Sequence, residues 1–216
     1  MFIAADASSI SVSPGWRRAP IGLVDAVAAY PVALIGDVTA RMGMMTSVIR
    51  PQNGLPRFAG TVLPVLTRDG DNLAIHRGLD EAAPGDVLVV DAHAETNRAV
   101  FGDILGEVCV VRGVRGVVID GATRDVDELE RLGLPVFARA VNPAGPSKAG
   151  PGVVGAPVAV GNVVCRAGDA IVADRDGIVV LPAAALEEVL ERLSAQDAFE
   201  NGLRARIRGG DAVDGG

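Results

Sequence analysis

The amino-acid sequence predicts a single domain of the α/β class. Its 216 residues suit one domain, and a hydrophobic content of 49 % with a mean hydropathy of +0.34 supplies enough apolar surface for a core. Between residues 72 and 141, segments with helical spacing of apolar residues alternate with short continuous apolar runs. Such runs are typical of strands covered on both faces, so the alternation indicates a sheet flanked by helices.

Helices are predicted where apolar residues recur at helical spacing and where Pro or Gly follows. The first such segment stops at Pro31, and the second comes after a short apolar run at residues 32–35. The predicted helices cover residues 21–29, 37–42, 72–82, 101–111, 126–132 and 183–206.

Strands are predicted at continuous apolar runs bounded by turn residues. A stretch punctuated by Pro and Gly at residues 50–60 precedes the first strand, and a turn at residues 174–177 joins the last two. The predicted strands cover residues 61–67, 87–91, 116–120, 135–141, 158–165, 170–173 and 178–181.

The two ends of the chain carry weaker patterns. Residues 1–20 show no clean periodicity and are interpreted as a loosely attached lead-in, so the domain is expected to cover residues 21–208. Residues 209–216 are rich in Gly and are expected to form a flexible tail.

Charge and hydropathy exclude two classes of partner. With 20 basic and 27 acidic residues the net charge is −7, and no basic run is longer than Arg17-Arg18. Nucleic-acid affinity comes mainly from clustered cations, so no nucleic-acid partner is expected. Gly and Pro interrupt the longest uncharged stretch, residues 149–165, and the first twenty residues lack a signal-peptide pattern. We therefore expect a cytoplasmic protein without a membrane partner.

Several familiar motifs are missing or out of context. The string GPGVVG at residues 150–155 matches GxGxxG, but a strand follows it where a dinucleotide site needs a helix. His76 and His93 are too few for a His-based zinc site, and both are interpreted as structural. Cys109 and Cys165 each lie alone in a Val-rich stretch and are interpreted as buried hydrophobic residues.

The most informative segment is residues 101–129. Asp103 and Asp125 each precede an apolar helical run, so each carboxylate falls near a helix N-terminus, where free N–H groups favour an anionic ligand. Helix capping is the alternative reading, because Asp125 with Glu128 resembles a capping box. Arg124 favours a site: a guanidinium binds a substrate carboxylate, and carboxylate ligands suit Mg²⁺ or Mn²⁺.

These residues resemble a known family. Asp103, twenty intervening residues and then Arg124-Asp125 match the D-x20-R-D signature of the 4-hydroxy-4-methyl-2-oxoglutarate (HMG/CHA) aldolases and the RraA-like regulators of ribonuclease activity. The resemblance covers most of the chain. It extends to the strand led by Gly60, to Gly70-Asp71-Asn72, and to residues 84–91, 116–121, 134–137 and 168–182.

The resemblance implies a swivelling β/β/α-type RraA-like fold that assembles as a trimer or a dimer of trimers, with the active site between neighbouring subunits. It implies that Asp125 ligates Mg²⁺ or Mn²⁺, that Arg124 holds the carboxylate and carbonyl oxygens of the substrate, and that Asp103 holds a metal-bound water. The N–H groups of Ile104 and Leu105, after Gly102, would bind the pyruvate moiety.

Two further positions follow from the same resemblance. Lys148 falls near a polar substrate contact of the family, and Glu200 falls near an acidic residue that an adjacent subunit contributes. A solvated loop lysine and a surface glutamate on the last helix are the alternative readings of these positions.

The implied activity is that of a metal-dependent lyase that cleaves a carbon-carbon bond of a small 2-oxo acid through a pyruvate enolate. This is either 4-hydroxy-4-methyl-2-oxoglutarate aldolase activity, oxaloacetate decarboxylase activity, or both. The alternative is a non-catalytic protein that binds and regulates a ribonuclease. Asp103, Arg124 and Asp125 occur together, which favours catalysis, because a pure interaction surface does not need this triad.

Overall fold

The structure is a computed structural model that describes residues 7–210. Helices and strands alternate along its central part, as the sequence predicts. The helices are α1 (Ile21–Val27), α2 (Val32–Val38), α3 (Leu73–Glu81), α4 (Asp103–Val111), α5 (Val126–Arg131) and α6 (Leu186–Gly209). The strands are β1 (Ile10–Val12), β2 (Arg50–Pro51), β3 (Phe58–Thr67), β4 (Asp86–Asp91), β5 (Ala99–Phe101), β6 (Gly116–Thr123), β7 (Val136–Val141), β8 (Gly152–Val154), β9 (Val158–Val160), β10 (Val163–Cys165), β11 (Ala170–Ala173) and β12 (Ile178–Leu181).

The centre of the fold is a parallel ladder of strands in the order β3, β4, β6 and β7. β8 and β11 both pair antiparallel to β3, and β12 continues the sheet from β11. β5 lies parallel to the last residues of β6, where Ala99 pairs with Ala122. The predicted α/β class is therefore confirmed, and the sheet contains both parallel and antiparallel pairs.

Alternating side chains of β4 are buried on opposite faces of the sheet. Leu88 and Val90 join a core with residues of α3 and α4, whereas Val87 and Val89 join a second core on the opposite face. The hairpin of β9 and β10 covers that second face. This confirms that the continuous apolar run at residues 87–91 is a strand covered on both sides.

Several predicted elements differ in their limits. Residues 158–165 form a hairpin, because Gly161 and Asn162 adopt positive φ angles that turn the chain. The apolar run at residues 32–35 is helical within α2, and the helix predicted over residues 37–42 ends at Val38. The helix predicted from residue 101 starts at Asp103, because Phe101 still belongs to β5.

Residues 7–20 are not loosely attached, so the lead-in prediction is wrong for this part of the chain. Residues 10–12 form β1, which pairs with β8. Both Asp86 oxygens accept hydrogen bonds from the Arg18 guanidinium at 2.8 Å, and Asp86 is fully buried. A three-residue strand and one ion pair produce no periodic pattern, so sequence reasoning missed this packing. Residues 1–6, and residues 211–216 of the predicted tail, lie outside the described residues.

Within residues 7–210, no single helix has the length and apolar character needed to cross a membrane. α1 and α2 reach that length and hydropathy only when they are taken together, and their axes bend by 98°.

Candidate active site

The ends of two adjacent parallel strands bring Gly102-Asp103 and Arg124-Asp125 into contact. The N–H of Arg124 donates to the Phe101 carbonyl at 3.0 Å, which joins the segment after β6 to the end of β5. The N–H of Asp103 in turn donates to Oδ2 of Asp125 at 3.3 Å. The twenty-residue spacing in the sequence thus becomes a direct contact at the carboxyl edge of the sheet, where α/β folds place ligands.

Asp125 does not cap the helix that it precedes. It lies at the N-cap position of α5 in the left-handed conformation, with φ +56° and ψ +39°, and its carboxylate makes no capping hydrogen bond. Instead, Oδ2 accepts from the amide of Asp103 and from Nε of Arg124 at 3.1 Å. The capping-box reading of Asp125 is therefore wrong, and the unusual backbone turns the carboxylate toward α4.

The Arg124–Asp125 pair is accessible. The side chains are 39 % and 34 % exposed, so the ion pair contributes little to stability and both groups can still meet a ligand. Two glycines leave room for the Arg124 and Asp125 side chains. A Cβ on Gly102 would lie 2.5 Å from Oδ2 of Asp125, and a Cβ on Gly145 would lie 2.9 Å from the guanidinium of Arg124.

The N-terminus of α4 binds carboxylate oxygens in this structure. The amide of Asp103 meets Asp125, and the amide of Ile104 donates to Oδ1 of Asp103 at 2.7 Å. The amide of Leu105 precedes the first bond of the helical ladder, which Gly106 makes to the Gly102 carbonyl. This end of the helix can therefore bind a substrate carboxylate once the Asp103 side chain rotates away.

A pocket of about 220 Å³ lies against these residues. That volume suits a small organic acid rather than a nucleotide. Six predicted substrate or catalytic positions line it, namely Gly102, Asp103, Ile104, Leu105, Arg124 and Lys148.

Glu200 is not among the residues that line this pocket. It lies on α6, where its carboxylate accepts hydrogen bonds from Arg204 at 2.6 Å and Gln196 at 3.3 Å. Its delivery to the site by an adjacent subunit stays a prediction.

Metal-ligand chemistry at the site consists of the two carboxylates Asp103 and Asp125. Nowhere in residues 7–210 do three or more His, Cys, Asp or Glu side chains converge as a metal cluster would require. Mg²⁺ is commonly bound by one or two carboxylates while it keeps several waters and takes its other ligands from the substrate. The donor set therefore fits a hydrated Mg²⁺ or Mn²⁺ ion held by Asp125, with Asp103 next to it.

The two cysteines are buried, and burial raises the pKa of the Cys165 thiol to about 12.

Sequence reasoning missed two polar residues of the pocket. Asn72, which directly precedes α3, and His76, which lies on α3, both line the pocket and are both buried. His76 was expected to be structural. Its spacing of four residues from Asn72, about one helical turn, is the sequence feature that places the two side chains on the same side.

We expect Gly102→Ala to reduce activity at this site by at least about tenfold without unfolding the protein, because one methyl group displaces the Asp125 carboxylate and groups in a site must be held within about 0.5 Å. The φ of Gly102 is −159°, an extended value that alanine also adopts, so the effect is steric. Gly22→Ala is the matched control, since a Cβ there meets nothing within 4 Å. Equal activity of both variants would contradict this geometry.

Asp71 holds the loop that carries Lys148. Its buried carboxylate accepts hydrogen bonds from the amides of Leu73, Ala149 and Gly150 at 2.9, 2.7 and 3.1 Å. The Ser147 hydroxyl donates a further bond at 2.7 Å. Burial by itself would raise the pKa of Asp71, but these donors outweigh it and lower the pKa below its ordinary value.

We expect Asp71→Asn to lower the free energy of unfolding at pH 7 by about 1–3 kcal/mol, because an amide cannot accept from all these donors. Since the folded pKa is depressed, the stabilising contribution is present above the ordinary value and is lost as the pH falls through the folded pKa. Urea unfolding at several pH values should therefore show the gap to wild type narrowing in acid. Asp69→Asn, on the exposed neighbour, is the control. A gap that stays constant in acid would refute this account.

The fold and the site define an α/β protein with a small pocket at the carboxyl ends of parallel strands, lined by Arg124, Lys148 and the N-terminus of α4. A family model, RraA-like: Aldolase/RraA, matches residues 22–180, and the chain belongs to this family.

Relatives carry names of two kinds. A protein of Halalkalibacterium halodurans named "Putative 4-hydroxy-4-methyl-2-oxoglutarate aldolase" is 35 % identical over 190 residues, which cover 88 % of this chain and 90 % of that protein. The solved structure of Streptomyces coelicolor RraAS2, described as an unusual member of the RNase ES inhibitor RraA protein family, is 27 % identical with a TM-score of 0.80 and covers 88 % of this chain and 99 % of that one. The RNA-processing inhibitor RraA from Thermus thermophilis is 31 % identical with a TM-score of 0.66, covering 71 % and 93 %.

Proposed function

We propose that this protein is a metal-dependent lyase that cleaves a carbon-carbon bond of a small 2-oxo acid and releases pyruvate. One observation carries the proposal: Arg124, Asp125 and the N-terminus of α4 meet through shared hydrogen bonds beside a pocket of about 220 Å³. Arg124, Lys148, Asp103 and the first residues of α4 line this space, which fits one small anion, and Asp125 lies next to it through its bonds to Arg124 and Asp103. The aldolase name of the 35 % identical relative supports the same reaction class.

Arg124 and α4 would bind the 2-oxo acid head group. The Arg124 guanidinium offers a planar fork that matches the carboxylate and carbonyl oxygens of a 2-oxo acid. The amides of Ile104 and Leu105, together with the helix dipole, add donors for the same carboxylate. Both sets of donors lie at the ends of regular elements, which hold them near the pocket, and the Ile104 amide becomes available when the Asp103 side chain rotates away.

Bond cleavage leaves an electron pair on the substrate that becomes the enolate of pyruvate. Mg²⁺ or Mn²⁺ held by Asp125 would supply Lewis-acid stabilisation of the enolate oxygen. Arg124 stabilises the same developing charge through its N–H donors. In aldol cleavage, a water oriented by Asp103, with Glu200 of an adjacent subunit as a further candidate, accepts the proton of the 4-hydroxyl group. In oxaloacetate decarboxylation, CO₂ leaves and forms the same enolate without that base.

Assembly belongs to the same proposal. We propose a homo-oligomer, a trimer or a hexamer, because Glu200 does not line the pocket of its own chain and would act there only if a second copy supplied it. Size-exclusion chromatography with light scattering checks this, and a monomer with full activity would remove Glu200 from the mechanism.

A ribonuclease-binding regulator is the second candidate function. The names of the two solved relatives, an RNA-processing inhibitor and a member of an RNase inhibitor family, favour it. Such a role would need a binding surface and would not need the Arg124–Asp125 geometry.

Pyruvate release from 4-hydroxy-4-methyl-2-oxoglutarate and from oxaloacetate separates the two functions. We expect turnover with Mg²⁺ or Mn²⁺, above the decarboxylation caused by the free metal, and none with EDTA. No release from either substrate, together with co-purification of a ribonuclease, would establish the regulator instead.

A further inference from the structure

Two residues that line the candidate pocket carry buried polar atoms without hydrogen-bond partners. Within residues 7–210, three buried side-chain atoms have no hydrogen-bond partner: Nε1 of Trp16, Oδ1 of Asn72 and Nε2 of His76. The last two belong to residues that line the pocket. An unsatisfied buried polar atom lowers stability, so folded proteins keep few of them. Their presence in one pocket indicates that a ligand completes their hydrogen bonds.

The two residues are held on one face of α3. Asn72 directly precedes the helix, and His76 follows four residues later, with its N–H donating to the Asn72 carbonyl at 3.2 Å. The residues are 5 % and 6 % exposed. Asp71 fixes the start of the helix by accepting from the amide of Leu73. Asn72 and His76 therefore belong to a rigid wall of the pocket, apart from the Arg124 and α4 groups that bind the head group.

The unpaired atoms of Asn72 and His76 indicate which functional group of a ligand can bind there. Oδ1 of Asn72 accepts a hydrogen bond and so needs a donor. Burial, and next the charge of Lys148, lower the pKa of His76, although Asp80 and Asp71 oppose the shift. The imidazole is therefore neutral near pH 7, and its Nε2 accepts or donates according to the tautomer. A carboxylate only accepts and leaves Asn72 unpaired. A hydroxyl group can donate to Asn72 and accept from His76 when the substrate binds, and its single proton then passes to the water at Asp103 during aldol cleavage.

We infer that Asn72 and His76 bind a hydroxyl group on the part of the substrate beyond its 2-oxo acid head group, and so determine specificity for hydroxylated 2-oxo acids. This inference rests on the proposed function, because it places the head group on Arg124 and α4. The residues at the start of α3 would then recognise the rest of the substrate's carbon chain, and Lys148 lines the same pocket.

The test replaces each residue by an apolar one of similar size, Asn72→Leu and His76→Phe. We expect kcat/KM for 4-hydroxy-4-methyl-2-oxoglutarate to fall at least about tenfold more than kcat/KM for oxaloacetate, which lacks the hydroxyl group. Melting temperatures should stay level or rise, because the variants remove unsatisfied atoms. His76→Gln, which keeps a hydrogen-bonding atom, should restore part of the preference. Trp16→Phe removes the third unpaired atom outside the pocket and should leave the ratio of the two substrates unchanged.

A second readout keeps the inference separate from the proposed activity. If the wild-type protein released no pyruvate, the lyase proposal would fail, and thermal stabilisation by 4-hydroxy-4-methyl-2-oxoglutarate against 2-oxoglutarate would then test α3. Greater stabilisation of wild type than of Asn72→Leu by the hydroxylated acid alone supports the inference. An equal response of the two proteins, an unchanged ratio of kcat/KM, or a lower melting temperature in both variants would overturn it.

Discussion

Replacement of Asp125 by Asn is expected to lower metal-dependent pyruvate release by at least about a hundredfold, in line with the loss of one preorganised charge-stabilising group. The amide keeps the size of the side chain and tolerates the left-handed backbone at φ +56°, but it removes the charge that would hold the metal ion. Because the Asp125 carboxylate caps no helix, we expect the free energy of unfolding to change by less than about 1 kcal/mol.

The control for Asp125→Asn is Asp127→Asn, an exposed position in the first turn of the same helix. Its turnover should match that of wild type. Pyruvate release with Mg²⁺ is measured for all three proteins, and urea unfolding confirms that they are folded. Turnover of Asp125→Asn within about twofold of wild type would remove Asp125 from the mechanism.

Arg124→Lys has the second large expected effect. Lysine keeps the positive charge but loses the planar fork and the Nε–H that donates to Asp125 at 3.1 Å. We expect kcat/KM to fall by at least about a hundredfold, with most of the loss in kcat, because the fork stabilises the charge that develops during cleavage.

Arg131→Lys is the matched control for this change. Arg131 pairs with Glu128 on the exposed surface of α5, so its replacement should leave kinetics and stability unchanged. Near-normal kcat in Arg124→Lys would show that charge alone suffices there, and the proposed bidentate contact would be wrong.

Much of the α/β framework was predictable because it rests on local patterns. The continuous apolar run at residues 87–91 indicates from the sequence alone a strand that is buried on both faces, and the structure places this strand at the centre of the sheet. β1 and β5 were missed, because each has three residues and pairs only through distant chain segments. Such short strands have no periodicity to read, and tertiary packing alone stabilises them.

The candidate site was predictable in its identities and less so in its geometry. The spacing of Asp103 and Arg124-Asp125 marked the residues that the structure brings together. The left-handed backbone of Asp125 was hidden, because aspartate before a helix usually caps it. Asn72 and His76 were missed, because a histidine on an apolar helix face has the same pattern whether it is packed in a core or lines a pocket.

Exchange of the methyl protons of pyruvate with deuterium in D₂O tests the central claim most directly, because a site that stabilises the enolate in cleavage must also form it from pyruvate. The proton NMR signal of the methyl group should decay with Mg²⁺ and wild-type protein. It should persist with EDTA, or with Arg124→Lys, at the rate of metal alone. Exchange no faster than metal alone in the wild-type protein would contradict enolate formation at this site.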